Sequence, residues 1–382
     1  MMLCGLDVLR AERFARLAGK RVALLTHPAA LSCTPRPIAS ALQLLRAERS
    51  FELRIVFGPE HGLKGTAQDL IAVTDDAPQA GVPVVSLYGE TVASLKPIPA
   101  MLAGLDMLVI DLVDVGSRYY TFHATMLYCL EACAAAGVAV MILDRPNPLG
   151  RTVEGPTIQP GFESFVGPHP MPIRHGLTMG ELARLYQAER VPTVNLEVVK
   201  FEGSPSTEPW LISPSPNMPT AATALAYPGV CLIEGTNLSE GRGTTRPFEF
   251  IGFPGTPMPE LLQRLHTDAP PGVELLPATF QPTFQKHAGV PCDGVFLVPG
   301  VGFQPVQTGY HLLRAFRHTL GTHFRWRTER YEFIDAIPAI DILFGSDRER
   351  RLIDADEPCP TPAWERDEAA FRERRETFLL YP

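Results

Sequence analysis

The chain lacks long apolar runs, paired cysteines and the short glycine motifs of common ligand sites, and each absence removes a class of function. No segment of the 382 residues approaches the roughly eighteen uninterrupted apolar positions of a membrane span. Seven cysteines, an odd and scattered set without a CxxC pair, argue against a disulfide scaffold and a zinc ribbon. Cys129, Cys133 and Cys231 stand in apolar contexts and read as small buried hydrophobes. A GxGxxG after a strand, a GxxxxGK[ST], a GxSxG and an HExxH are all missing, so the usual dinucleotide, nucleoside-triphosphate, esterase and zincin chemistries are not expected. Ten histidines show no metal-pair spacing. No metal and no organic cofactor are therefore expected. Basic residues are outnumbered, 34 against 42 acidic for a formal charge of −8, which argues against nucleic acid or an anionic membrane as the main partner. The first twenty or so residues show no basic segment leading into an apolar one, so a cytoplasmic location without a secretory signal is expected.

What is present is a 45% apolar chain with 38 prolines, about twice the usual proline share, hence a real core joined by many fixed turns. Apolar runs at 21–26, 53–57, 82–87, 105–112 and 138–143 alternate with helical patterns at 38–46 and from Phe122, where Phe122, Met126, Leu130 and Cys133 share a stripe that Gly137 should end. That alternation predicts an α/β fold: a Rossmann-like doubly wound N-terminal domain over 1–150, then a mixed α/β C-terminal domain over 151–382, with the boundary in the proline- and glycine-rich 146–172. Polar residues cluster just past the strand ends: His27, Glu60 with His61, Glu90, Asp111 with Asp114 and Arg118, and Asp144 with Arg145. Open α/β sheets bind ligands along that edge. In the second half, Thr178 and Glu181 have capping-box spacing, which makes Glu181 structural. Strands are expected at 196–201, 280–284, 294–298 and 331–334, and helices at 310–320, 340–344 and 363–378.

The stretch 232–249, LIEGTNLSEGRGTTRPFE, concentrates Glu234, Glu240, Arg242 and Arg246 among three glycines. So many charges cannot be buried unpaired, and the reading is a strand-end loop lining a cleft between the domains. Abundant carboxylate, arginine, asparagine and tyrosine are the groups that hydrolyse and hold sugars.

GPEHGLKG (58–65), SLYGE (86–90), DMLVIDLVDVGSRYYTF (106–122), DRPNPLG (144–150), RHGLTMGELA (174–183), PSPNMPT (214–220) and YPGVCLIEGTNLSEGRGTTRPFE (227–249) resemble the DUF1343 family over nearly the whole chain. That family includes NamZ-type exo-acting β-N-acetylmuramidases, which release N-acetylmuramic acid (MurNAc) from the non-reducing end of peptidoglycan fragments. The resemblance implies a small amino-sugar substrate such as MurNAc linked to N-acetylglucosamine (MurNAc-GlcNAc), bound between a Rossmann-like and an α/β domain. It departs from the family where many relatives carry a secretion signal, and at Arg151, where a second glycine is expected. Glu60 is the expected principal carboxyl, with His61 orienting it. Glu240 ranks above Asp111 and Glu234 as the second carboxylate, unless the substrate's acetamide serves as nucleophile. Arg118, Arg242 and Arg246 could grip the lactyl carboxylate of muramic acid. Tyr119 or Tyr120 could stack on a sugar, and Asn147, His175, Asn217 and Asn237 could bond hydroxyls or acetamide. A non-catalytic muropeptide-binding protein, or an amidase or deacetylase of wall fragments, are the alternatives.

Overall fold

A computed structural model describes residues 2–34, 37–68, 71–74, 81–204, 210–267 and 269–382. Six strands, β1 (Arg21–Thr26), β2 (Glu52–Gly58), β3 (Val84–Ser86), β4 (Met107–Asp111), β5 (Ala139–Leu143) and β6 (Leu196–Val199), form a parallel sheet in the order β3-β2-β1-β4-β5-β6. This is the doubly wound Rossmann order. Both faces are covered, which is why the strands read as continuous apolar runs rather than alternating ones. Val22, Leu24, Met107 and Val109 pack with Leu6 and Leu9 on one side, while Ala23, Leu25, Leu108 and Ile110 pack with Met126 and Leu130 on the other. The two-residue period of a strand thus divides each run between two layers. The sixth strand comes from beyond residue 150, so the first layer extends past the stretch expected as the domain boundary.

Local signals place the helices around this sheet. Ser40 and Gln43 cap the helix Ala41–Ala47 reciprocally, and Thr178 and Glu181 do the same for Met179–Glu189. The helix Phe122–Ala136 stops at Gly137, whose φ of 69° is left-handed and cheap for glycine alone.

The second half contains a three-stranded antiparallel sheet, β7 (Phe250–Phe253), β8 (Val273–Phe280) and β9 (Cys292–Pro299), in the order β7-β9-β8. Helices Ala221–Val230 and Pro305–Leu320 cross beside it, and the crossing is so close that a Cβ on Gly229 would lie 1.8 Å from the Pro305 carbonyl oxygen. Helices Ala339–Phe344, Arg348–Asp354 and Thr361–Arg375 complete the fold. Three expectations fail here. The run before Glu234 is the end of the helix Ala221–Val230 and a 3-10 turn, Cys231–Gly235, not a strand; a short apolar run has no period long enough to separate the two. The 331–334 segment is a tight turn closed by a Tyr331–Ile334 bridge. A strand near 280–284 instead ends at Phe280. Tyr227, Leu232, Phe316 and Trp364 join the same apolar cluster as Ile110 and Met126, so the two halves share one core. Among the described residues no helix is long and apolar enough to cross a membrane.

Candidate active site

A cleft of about 480 Å3 opens at the carboxyl edge of the parallel sheet, where the second half folds over it. The turn after β2 contributes Glu60 and His61, the turn after β4 contributes Tyr119, Tyr120 and Thr121, and the second half supplies Asn217, Tyr227, Glu234, Arg242, Tyr331 and Glu332.

Glu60 is 5% exposed and accepts a 2.5 Å hydrogen bond from the Thr121 hydroxyl. Thr121 is the N-cap residue of Phe122–Ala136, so Glu60 sits at the positive end of a four-turn helix. His61 has a left-handed φ of 71°, and its Nδ1 lies 2.8 Å from the Ala67 carbonyl, which fixes the ring beside Glu60. Opposite them, Arg242 donates to Glu234 at 2.7 Å, and the Tyr331 hydroxyl donates to the other Glu234 oxygen at 2.9 Å. Burial alone would raise the Glu234 pKa, but the charge and hydrogen bond of Arg242 outweigh it and hold the carboxyl below its usual range. The Arg242 guanidinium in turn rests 4.9 Å over the Phe248 ring. Glu332, also buried, accepts from the Tyr88 hydroxyl at 3.2 Å. Burial, then the neighbouring charges of Glu60 and Glu332, push the Tyr88 phenol well up, so it keeps its proton between the two carboxyls.

The other expected residues fall in three groups. Tyr120 and Asn217 line the cleft, with the Asn217 amide donating to Gln68 at 2.7 Å. Glu240 does not: it turns to Lys286 at 2.9 Å and stands behind Arg242 at 3.4 Å, so Glu234, not Glu240, faces Glu60 across the cleft. The remaining residues lie outside the cleft lining. Asp111 is fully buried in a two-pronged pair with Arg145, at 2.6 and 2.9 Å. Arg118, buried deeply enough to lower its pKa to about 10, donates to the carbonyls of Pro156, Met171 and Leu343. Asn147 accepts from the Leu149 amide in its own turn and donates to the distant Leu177 carbonyl, and His175 accepts from the Leu177 amide. Asn237 bonds the His323 carbonyl and the Arg325 amide, and Arg246 makes a half-exposed pair with Glu249. Strand ends and glycine-rich loops collect charge for closure as readily as for chemistry, so position alone does not separate these uses.

Sequence reasoning missed Glu332, Tyr227, Thr121 and Ser215 among the lining residues. Thr121 and Tyr227 lie within quoted motifs; Glu332, in RYEFID, carries no local signal. Among the described residues, Cys4, Asp7 and Cys33 bring ligand atoms within 4.8 Å of one another, but they lie outside the cleft, and Asp7 already accepts from the amides of Cys4, Cys33 and Thr34.

Three buried carboxyls beside one guanidinium and several phenols, at the edge of a Rossmann-like sheet, are the equipment of a carbohydrate-cleaving site. The chain belongs to the family described as exo-beta-N-acetylmuramidase NamZ: its N-terminal profile matches residues 22–222 and its C-terminal profile residues 225–381. It is 38% identical to the peptidoglycan beta-N-acetylmuramidase NamZ of Bacillus subtilis (strain 168), over 99% of this chain and 91% of that protein. Two crystal structures of DUF1343 family proteins from Bacteroides fragilis NCTC 9343 share the fold. One superposes with a TM-score of 0.86 at 27% identity and the other with 0.76 at 28%, each covering 100% of this chain and 99% of its own.

Proposed function

We propose that this protein is an exo-acting β-N-acetylmuramidase that releases MurNAc from the non-reducing end of peptidoglycan-derived glycans, with MurNAc-GlcNAc as the smallest substrate. The observation that carries the reading is the convergence of Glu60, Glu234 and Glu332 with Arg242 in one small cleft. Family membership and the Bacillus relative support the substrate class.

Arg242 keeps Glu234 ionised, so Glu234 cannot be the proton donor at neutral pH. Of the other two carboxyls, Glu60, in the GPEHG turn that resembles the family motif, is assigned to protonate the glycosidic oxygen as the bond from C1 to that oxygen breaks. The sugar becomes cationic in this step, and the ionised Glu234, with Glu332, favours that charge. A water molecule, or the substrate's own acetamide oxygen followed by water, completes the exchange at C1. The same acidic lining repels the lactyl carboxylate of the ground state, so that group is assigned to Arg242, the guanidinium lining the cleft among the described residues. Seven cysteines without a disulfide fit a reducing compartment such as the cytoplasm.

The test incubates the wild type and Glu60→Gln with MurNAc-GlcNAc and follows free MurNAc by chromatography. The wild type releases MurNAc, and the variant, folded to the same melting temperature, is slower by about 10²- to 10⁴-fold. No release by the wild type would overturn the activity; an unimpaired variant would overturn the role of Glu60.

A further inference from the structure

A second and larger cavity, about 1370 Å3, is lined by Lys286, His287, Arg325, Trp326, Arg327 and Glu329 among others. Two stretches of chain border both spaces. Glu234, Tyr331 and Glu332 face the cleft, while Thr236 and residues 325–329 face this groove. The stretches are pinned together where they pass: Asn237 donates to the Arg325 carbonyl at 3.0 Å, Arg327 donates to the Gly235 carbonyl at 2.8 Å, and Thr236 bridges Trp326. The Asn237 side chain accepts from the Arg325 amide at 2.9 Å, adding a third tie. The Arg327 guanidinium lies 5.1 Å over the ring of Tyr331, whose hydroxyl holds Glu234. Cleft and groove thus share two stretches of chain that are tied to each other.

The groove is basic in a specific way. Lys286 is committed to the buried Glu240, but among the described residues neither Arg325 nor Arg327 is in an ion pair. Glu329 is the acidic side chain lining the groove. Between the arginines, Trp326 is half-buried and anchored through its indole N–H to Asp354 at 3.1 Å. Arg327 makes one long hydrogen bond to the Arg330 carbonyl, at 3.4 Å, so both guanidinium forks keep donors for a carboxylate, and an anchored indole offers an apolar face to a sugar.

In a peptidoglycan strand every second sugar bears a lactyl ether. A chain whose terminal muramyl residue fills the cleft therefore carries its next carboxylate two sugars away. We propose, resting on the exo-muramidase reading above, that this groove is a subsite for the leaving glycan, in which Arg325 and Arg327 take the lactyl carboxylate of the second muramyl residue and Trp326 takes a sugar face. A disaccharide is too short to use it.

The experiment compares three peptide-free substrates: MurNAc-GlcNAc, the tetrasaccharide (MurNAc-GlcNAc)₂, and that tetrasaccharide with its internal lactyl carboxylate converted to a neutral amide. Arg325→Glu raises KM for the plain tetrasaccharide by about three- to tenfold and leaves KM for the disaccharide and the amidated tetrasaccharide unchanged; kcat stays the same for all three. A second measurement, calorimetric binding of the plain tetrasaccharide to Glu60→Gln with and without Arg325→Glu, reads the same loss without turnover. Equal behaviour of the variant toward all three substrates, or unchanged binding in the calorimeter, overturns the subsite. Absence of hydrolysis with the calorimetric loss intact would instead overturn the proposed reaction and keep the groove.

Discussion

Two buried arginine–carboxylate pairs, Asp111 with Arg145 and Glu234 with Arg242, look interchangeable by composition and differ in what surrounds them. Arg145 also donates to the Leu31 carbonyl, and neither partner lines the cleft. Glu234 and Arg242 form one wall of a cleft, with Tyr331 and Phe248 fixing their orientation. A buried ion pair becomes chemical equipment when one of its sides is left open to a ligand. Sealed on every side, it is a fastener whose loss is felt by the fold.

The two pairs should therefore fail differently. Asp111→Asn strands the Arg145 charge and is expected to cost about 3–5 kcal/mol in urea unfolding, with kcat of the remaining folded protein unchanged. Glu234→Gln is expected to reverse that pattern. Activity on MurNAc-GlcNAc falls by about 100-fold, near 3 kcal/mol of barrier, while the melting temperature moves little because Arg242 keeps Glu240 as a counter-ion. Equal loss of stability in both variants would erase the distinction.

Asp114 sharpens it with a buried carboxyl that has neither an arginine nor a lysine partner among the described residues. Burial pushes its pKa up to about 7, above the ordinary 3.8, so the folded state holds this proton more tightly than the unfolded chain. Its contribution to stability is full below the ordinary value and is lost as pH rises through about 7. Asp114→Asn should flatten that loss, gaining on the order of 2 kcal/mol on the wild type between mildly acidic and mildly basic pH, read from denaturation midpoints. The smallest effect belongs to Arg246→Ala. Arg246 is half exposed, and the buried Glu249 keeps the Thr223 hydroxyl as a partner, so stability should change by about 1 kcal/mol and MurNAc release not at all.

These contrasts also show what was legible from residues alone. β1 fell at 21–26 as expected, because a strand covered on both faces leaves an unbroken apolar run. The placement of Glu60 at the cleft was legible for the same reason: it follows such a run at the edge where α/β sheets meet their ligands. Of the other cleft carboxyls Glu234 was named and Glu332 was not, since Glu332 meets Tyr88, 244 residues away in sequence. Glu240 outranked Glu234 on loop composition, and only the direction of Lys286 and Arg242 reverses that order. Asp111 pairs with the Arg145 side chain, and Arg118, Asn147 and His175 bond backbone atoms, contacts that strand-end position alone does not reveal.

Arg118 has one more implication. Its guanidinium is fastened to peptide groups at 156, 171 and 343, while its own neighbours 119–121 form part of the cleft. Breathing motions that loosen any one of those distant loops must therefore tug on the floor beneath the sugar. Amide protons around these contacts should exchange with solvent in a single shared event, which hydrogen exchange would read as one cooperative unit.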